Sequence, residues 1–241
     1  MVEHLIVRNA TRTFGADAGL FGLDLGVAAG EVHALVGLNG AGKTTLMRAI
    51  LGMLRLTTGS VQIEGVPITR LRARAWRQVG HFVEHPFAYL ELTAHENLAL
   101  AARLNGVDPA QVADAVDSTI TDLALDRYAR VAARRLSQGN RQRLGLAAAL
   151  QHHPAPIILD EPTNALDPAG VILLRELLLR RARDGAAALV SSHHLDKVAR
   201  IADRISVMNY GRIIGSLDPG ASDLERSFFD MVHNDDEQRQ P

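Results

Sequence analysis

The feature that most constrains the fold of this chain is a glycine-rich segment, GLNGAGKTT, at residues 37–45. It has the spacing G-x-x-x-x-G-K-[ST], with Gly37, Gly42, Lys43 and Thr44 at the fixed positions. The apolar run before it predicts a β-strand, and the apolar residues at helical spacing after it predict an amphipathic helix. A strand, a glycine loop and a helix in this order are the context expected of a phosphate-binding loop.

The residue types of this loop suit a polyphosphate ligand. Glycines allow backbone N–H groups to turn towards phosphate oxygens, and the start of the next helix adds its own N–H groups and dipole. Lys43 is expected to reach the terminal phosphates, and the Thr44 hydroxyl to bind Mg²⁺. The predicted cradle also includes Asn39, Gly40, Ala41 and Thr45. The alternative, a glycine turn that matches by chance, does not explain the flanking strand and helix.

Composition narrows the class of protein. The chain has 241 residues, a formal net charge of −1 and no cysteine, which excludes disulfides, thiol catalysis and cysteine-rich zinc sites. Without an excess of basic residues, nucleic acid is not expected as a partner. No apolar run approaches the roughly 18 residues that a membrane helix needs, and no secretory signal is visible, so a soluble, cytoplasmic protein is expected.

The order of predicted elements indicates an α/β fold. Short β-like runs dominate the first part, residues 88–150 are mainly helical, and strands alternate with helices from residue 155 onwards. This alternation favours a mainly parallel core sheet with helices packed against it. We predict one domain over residues 1–233 with a helical insertion at about 88–150, and a polar tail without regular structure at 234–241.

Two acidic residues complete the predicted phosphate site. The segment IILDE at 157–161 reads as an apolar strand that ends in Asp160 and Glu161. Asp160 would hold Mg²⁺, directly or through water, and Glu161 would polarise an attacking water molecule. Two acids after a strand can also simply begin a helix, but a phosphate loop in the same chain favours the metal and base roles.

Further segments carry a resemblance to a known family. LSQGN at 136–140, Gln142-Arg143 and IILDEPTNALDP at 157–168 look like the ATP-binding cassette (ABC) ATPases, and the matches follow the family's order from about residue 3 to residue 215. The resemblance implies a P-loop NTPase fold with an N-terminal antiparallel β part, and it implies ATP and Mg²⁺ as ligands.

The family resemblance also implies a dimer. Ser137 and Gly139 match the family's Leu-Ser-Gly-Gly-Gln signature, whereas Gln138 and Asn140 depart from it. The family uses this segment to complete the ATP site of a second cassette, so Ser137 and Gly139 would contact ATP in trans, in a head-to-tail dimer that is expected to be a homodimer. Read in isolation, LSQGN is only a capped helix start.

Three further roles are implied by the resemblance alone. His193 occupies the position of the switch histidine, which contacts the γ-phosphate and helps to position the water. Phe14 occupies the position of the aromatic ring that stacks on adenine, although a phenylalanine can equally belong to the core. Residues 165–167 resemble the loop through which opposing cassettes communicate, and Asp167 could also cap the following helix.

The sequence departs from the family at Glu84, where a glutamine usually senses Mg²⁺ and the attacking water. A carboxylate can serve as an oxygen ligand for the metal, but it adds negative charge beside the triphosphate. Glu84 followed by Pro86, with the LSxGxxQR form of the signature, resembles the branch that contains bacitracin- and lantibiotic-type exporters.

The resemblance implies an ATPase subunit at the cytoplasmic face of the membrane. It would power a separate transmembrane permease, which would export peptides or other amphipathic compounds and would dock around residues 84–92 and the helical insertion. A non-transport ABC ATPase, such as a stand-alone assembly factor, is the alternative.

Overall fold

Two sheets are formed by the ten strands in the part of the chain that the computed structural model describes, residues 3–15, 18–84 and 88–239. The strands are β1 (Glu3–Thr13), β2 (Gly19–Ala28), β3 (Val32–Val36), β4 (Thr58–Ile63), β5 (Val66–Pro67), β6 (Gly80–Phe82), β7 (Pro156–Leu159), β8 (Ala187–Ser192), β9 (Arg204–Asn209) and β10 (Arg212–Leu217). The α-helices are α1 (Lys43–Ile50), α2 (Ala73–Trp76), α3 (Ala94–Leu104), α4 (Val112–Asp122), α5 (Gln138–Leu150), α6 (Pro168–Arg183), α7 (Leu195–Ala199) and α8 (Leu224–Arg239).

The larger sheet has the strand order β10-β9-β3-β8-β7-β6, and only β10 runs antiparallel to its neighbour. Every residue of β3, β7 and β8 is buried, because both faces of the sheet are covered. Alternate residues face different cores: Ala188 and Val190 join one apolar cluster, while Ala187 and Leu189 join the other. This mainly parallel sheet confirms the predicted α/β class.

The smaller sheet is antiparallel, with the order β2-β1-β4-β5. Its buried residues, such as Val7 and Val61, share one apolar cluster with Leu46 and Met47 of α1 and with Ile158 of the larger sheet. Helix α1 therefore belongs to the core that joins the two sheets. This antiparallel part at the N-terminus confirms the fold implied by the family resemblance.

Helices α3, α4 and α5 lie between β6 and β7 in the chain and form the helical insertion. Helix α3 begins with a capping box, in which Thr93 accepts from the Glu96 backbone and Glu96 accepts from the Thr93 backbone. On α4, Val112, Val116 and Ile120 are buried on one face, as the helical spacing of these apolar residues predicts.

The expectation of an irregular tail from residue 234 is wrong for residues 234–239, which continue helix α8. Buried Phe228 and Val232 fix this helix against the larger sheet, and Asn209 donates hydrogen bonds to Asp235 and Asp236 near its end. Tertiary contacts thus stabilise a segment whose own composition is polar. Residues 240–241 lie outside the described residues.

Across residues 3–15, 18–84 and 88–239, no helix combines the length and the apolar character that a membrane span requires.

Candidate functional site

Three groups of predicted site residues follow three neighbouring parallel strands, β3, β8 and β7. The phosphate loop follows β3, Asp160 and Glu161 follow β7, and His193 follows β8. Because the carboxyl ends of parallel strands meet at one edge of a sheet, segments separated by up to 156 positions along the chain, from Gly37 to His193, converge there.

Backbone conformation and close packing explain why two positions of the loop are occupied by glycine. Gly42 has a φ of 107°, in the left-handed region that favours glycine, and it precedes the first residue of α1. A Cβ atom on Gly37 would lie 2.3 Å from the Met208 carbonyl oxygen. Larger residues at either position would therefore displace the loop from the sheet.

Lys43 is the buried cation of the site, with 6% of its surface exposed. Its Nζ donates to the carbonyl oxygens of Gly37 at 2.7 Å and Leu38 at 3.3 Å, so the side chain curls back along the inner surface of the loop. The same Nζ lies 3.5 Å from Glu161 Oε1. The ammonium group therefore joins the backbone of the loop to the predicted base.

The other loop residues differ in exposure in the way that a phosphate-binding loop requires. Asn39 and Gly40 are exposed at the tip, while Ala41 is buried and its carbonyl oxygen accepts from the Gly211 N–H at 2.8 Å. Thr45 is half-buried in the first turn of α1. The loop is thus open at its tip and held firmly at its base.

A hydrogen-bond network joins the loop to the acidic residues. The Thr44 hydroxyl donates to Asp160 Oδ2 at 2.6 Å, and the Ser191 hydroxyl donates to Asp160 Oδ1 at 2.6 Å. Ser191 Oγ also accepts from the Glu161 N–H at 2.9 Å, so one serine positions both acids. Ser191 was not predicted as a site residue; its only signal in the sequence is a hydroxyl at a strand end, two positions before His193.

The donor set fits a magnesium ion. Thr44 and Asp160 provide hard oxygen atoms beside a phosphate-binding loop, and Mg²⁺ prefers oxygen ligands together with substrate phosphates and water. Asp160 is 6% exposed, and in the structure its two carboxylate oxygens accept from Thr44 and Ser191. These contacts hold the carboxylate in a fixed orientation at the mouth of the loop.

Glu161 and His193 lie side by side. Glu161 Oε2 is 2.9 Å from His193 Nδ1, and the Glu161 backbone has a positive φ of 48°. Non-glycine residues adopt that region infrequently, and such conformations cluster at functional sites. The ring of the neighbouring His194 lies against that of His193, with centroids 3.9 Å apart and the ring planes tilted by 42°. Burial, followed by the charge of His193, lowers the pKa of His194.

Two predicted ligand contacts have other partners in the structure. The Glu84 carboxylate forms an ion pair with Arg48 of α1. Its contact with the metal stays a prediction. Phe14 is 49% exposed, as an adenine-stacking ring needs, and the Arg12 guanidinium lies 5.3 Å from its centroid. Pro86, which shares the branch resemblance with Glu84, lies outside the described residues.

The signature segment lies against the loop at 165–167. Ser137 caps α5 by accepting from the Asn140 N–H at 3.2 Å, and a Cβ on Gly139 would lie 2.8 Å from the Ala165 carbonyl oxygen. Asp167 caps α6 and also pairs with Arg143, which lowers the pKa of its carboxyl group. Capping of α6 by Asp167 is thereby confirmed; the roles of Ser137 and Gly139 in trans stay predictions.

Comparison with known proteins identifies the family. The model of the ABC transporter family matches residues 20–164, more than half of the chain. The lantibiotic transport ATP-binding protein SrtF of Streptococcus pyogenes is 32% identical over 229 residues, which cover 95% of this chain and 97% of that protein. The bacitracin transport ATP-binding protein BcrA of Bacillus licheniformis is 33% identical over 85% of this chain, which spans 66% of that relative.

A relative named for import also matches. The methionine import ATP-binding protein MetN of Brucella abortus is 36% identical over 86% of this chain and 58% of its own length. A solved structure of the ATP-binding subunit of an ABC transporter superimposes with a TM-score of 0.82 at 29% identity, covering 95% of this chain and 94% of that one. Together with the phosphate loop, the paired acids and the signature segment, these matches show that the chain belongs to the ABC transporter family as an ATP-binding domain.

Proposed function

We propose that this protein binds MgATP and hydrolyses it to power a separate membrane permease. The convergence of Lys43, Glu161 and His193 at the end of the parallel strands carries the proposal. A phosphate-binding cation, a general base and a histidine within 3.5 Å of that base are the groups that the hydrolysis of a phosphoanhydride requires.

In this mechanism the loop backbone and Lys43 bind the β- and γ-phosphates and hold them against α1. Thr44 and Asp160 would hold Mg²⁺, which, when bound, neutralises charge on the phosphate oxygens. Glu161 Oε1 or Oε2 accepts a proton from the water molecule that attacks the γ-phosphorus, while the bond between the γ-phosphorus and the β–γ bridging oxygen breaks and ADP leaves. His193, adjacent to Glu161, donates a hydrogen bond to the γ-phosphate and keeps the water in line.

The complete site would need a second cassette. Ser137 is exposed at the start of α5, and the N–H groups at that helix end are suited to a phosphate of a nucleotide bound to another copy. We infer a head-to-tail homodimer in which Ser137 and Gly139 of each copy face the phosphate loop of the other.

A groove between the larger sheet and the helical insertion would receive the permease. Its volume is about 280 Å³, and its lining includes exposed Met53 and Leu104 together with Leu100. A mainly apolar groove suits the apolar face of an amphipathic helix from a membrane partner. Binding there would hold the protein at the cytoplasmic face of the membrane.

We propose that the transported compound is a peptide or another amphipathic compound and that it is exported; the names of two relatives support the substrate class. The lantibiotic relative matches over almost the full length of both chains, and the bacitracin relative over most of this one. Within the described part of the chain, no residue is assigned to the transported compound, so the proposal rests on these relatives.

Two substitutions test the ATPase proposal. Glu161→Gln removes the base but keeps the phosphate-binding groups, so turnover should fall by about two to four orders of magnitude while the ATP-bound dimer persists. Lys43→Ala should weaken nucleotide binding itself. Phosphate release, calorimetric titration with ATP and size-exclusion chromatography measure these effects. Hydrolysis by Glu161→Gln at the wild-type rate, or unchanged affinity in Lys43→Ala, would contradict the assigned roles.

A further inference from the structure

The turn between β9 and β10 forms one wall of the phosphate loop. The Gly211 N–H donates to the Ala41 carbonyl oxygen at 2.8 Å, and a Cβ on Gly42 would lie 2.8 Å from Met208 Cε and 3.3 Å from Gly211 Cα. The loop backbone therefore packs on Met208 and Gly211 with no space between them. A shift of this turn would move the atoms that surround the phosphates.

The end of helix α8 holds the same turn. Asn209, the last residue of β9, is 5% exposed, and its Nδ2 donates to Asp235 Oδ2 at 3.0 Å and to Asp236 Oδ1 at 2.9 Å. Hydrogen bonds to charged acceptors are stronger than those between neutral groups. Both donor hydrogens of this buried amide are thus used to join β9 to α8.

Arg239 closes the contact from the other side. Its Nε and Nη2 donate to the two carboxylate oxygens of Asp235 at 2.8 and 3.2 Å, and its guanidinium lies 5.2 Å from the centroid of the Tyr210 ring. The bidentate pair orients Asp235, and the cation over Tyr210 covers the residue next to Gly211. We call Asn209, Tyr210, Asp235, Asp236 and Arg239 the C-terminal latch.

The rest of α8 fixes the position of the latch. Phe228 and Val232 are buried against the larger sheet, and a Cβ on Gly215 of β10 would lie 2.5 Å from Met231 Sδ. Helix α8 therefore packs directly on β10, the strand that follows the β9–β10 turn. The contacts therefore run without interruption from α8, through Asn209 and Gly211, to Ala41 in the phosphate loop.

We propose that the C-terminal latch positions the phosphate loop, so that Asn209, Asp235 and Asp236 set nucleotide affinity without contacting the nucleotide. This inference rests on the proposed binding of ATP at the loop. The latch residues act through Gly211 and Ala41, whereas Glu161 and His193 follow other strands. Loss of the latch should accordingly change affinity more than the rate of the chemical step.

The test is calorimetric titration of the full-length protein with MgADP, which requires no dimer. Asn209→Ala removes the donor, and Asp235→Ala/Asp236→Ala removes both acceptors from the partly exposed end of α8. Each variant should raise the dissociation constant about fivefold, and the triple variant should raise it no further, because all three residues act as one unit. Steady-state ATP hydrolysis should show a matching rise in KM with kcat within about twofold of wild type.

The matched control is Asp230→Ala, which removes the exposed ion pair with Arg226 on the same helix and should leave affinity unchanged. Wild-type affinity in the folded latch variants, even with a lower melting temperature, would overturn the latch proposal alone. If Asn209→Ala does not fold, the MgADP affinity of the Asp235→Ala/Asp236→Ala variant tests the proposal in its place. Absence of MgADP binding in the wild type would overturn the proposed function and the latch together.

Discussion

At the scale of single residues, Glu84 shows how the chain accommodates a carboxylate where the family usually has glutamine. Its backbone has a positive φ of 72°, and its carboxylate pairs with Arg48 of α1, the helix that begins at the phosphate loop. If ATP binds at the loop as proposed, the guanidinium would offset negative charge that Glu84 adds near the triphosphate. Arg48 was not predicted as a site residue, because no motif links it to Glu84.

Replacing Arg48 by glutamine should therefore raise the KM for ATP by about twofold to fivefold, a modest effect because both side chains are nearly half exposed. The double variant Arg48→Gln/Glu84→Gln should restore the wild-type KM. Steady-state hydrolysis at low and high salt measures this, and the effect should shrink at high salt. Arg55→Gln is the exposed control, and an equal rise in KM for it would contradict the pairing.

Buried histidines make stability depend on pH. Burial, followed by the charge of Arg204, lowers the pKa of His33 to about 4, and burial, followed by His81, lowers the pKa of His152 to about 4. In the unfolded chain these residues return to their ordinary pKa near 6.5. Between pH 6.5 and 4 the unfolded state therefore binds more protons, and acidification favours unfolding.

We expect the unfolding free energy to fall between pH 7.5 and 5.0, with each of these histidines contributing at most about 2 kcal/mol. Urea unfolding at the two pH values measures the change. His152→Gln should reduce the pH dependence, whereas the exposed control His233→Gln should not. An unchanged pH dependence in His152→Gln would show that this side chain is not buried in its neutral form.

At the scale of elements, the start of α6 combines a helix cap with an interhelical ion pair. Asp167 accepts from the Gly170 N–H at 3.0 Å, and Arg143 of α5 pairs with the same carboxylate. One side chain thus links the signature helix α5 to α6, the helix that follows Asp160 and Glu161.

Asp167→Ala should lower the unfolding free energy by about 1 to 2 kcal/mol, since it removes both the cap and the ion pair. Asp167→Asn keeps a good cap and should lower it by less than about 1 kcal/mol. Chemical denaturation of both variants measures the difference. Equal losses would indicate that Arg143, not the cap, determines the stability of this junction.

Elements with a strong local signal could be predicted from the sequence, and elements stabilised by distant contacts could not. The strand, loop and helix around Lys43 and the buried face of α4 have clear spacing in the sequence. The last turns of α8 are polar, and they are held by hydrogen bonds from Asn209, which lies 26 positions before Asp235 in the chain. Ser191 and Arg48 likewise could not be predicted, because their contacts with Asp160 and Glu84 join segments that are distant in the sequence.

At the scale of the whole molecule, the groove that would receive the permease lies between two parts of the fold. Met53 belongs to the segment after α1, whereas Leu100 and Leu104 belong to α3 of the helical insertion. Movement of the insertion relative to the core would change the shape of this groove. The groove could therefore couple the nucleotide site to a membrane partner.

Leu104→Glu places a charge on this apolar surface, where the wild-type side chain is 59% exposed. We expect it to reduce copurification of the permease from detergent extracts by about tenfold while leaving ATP binding unchanged. Val66→Glu, on the edge strand β5, is the control because its side chain is also exposed. Equal recovery of the permease with both variants would place the docking surface elsewhere.

The contact between Lys43 and Glu161 has a consequence for how the site is switched on. Lys43 Nζ lies 3.5 Å from the Glu161 carboxylate, so an arriving polyphosphate competes for the same ammonium group. If Lys43 binds the phosphates as proposed, nucleotide binding would be a counter-ion exchange, in which the lysine changes its anionic partner and the Glu161 carboxylate is released from it. Under the proposed mechanism, Glu161 Oε1 loses its contact with the ammonium group only when nucleotide is present, whereas Oε2 lies 2.9 Å from His193 Nδ1.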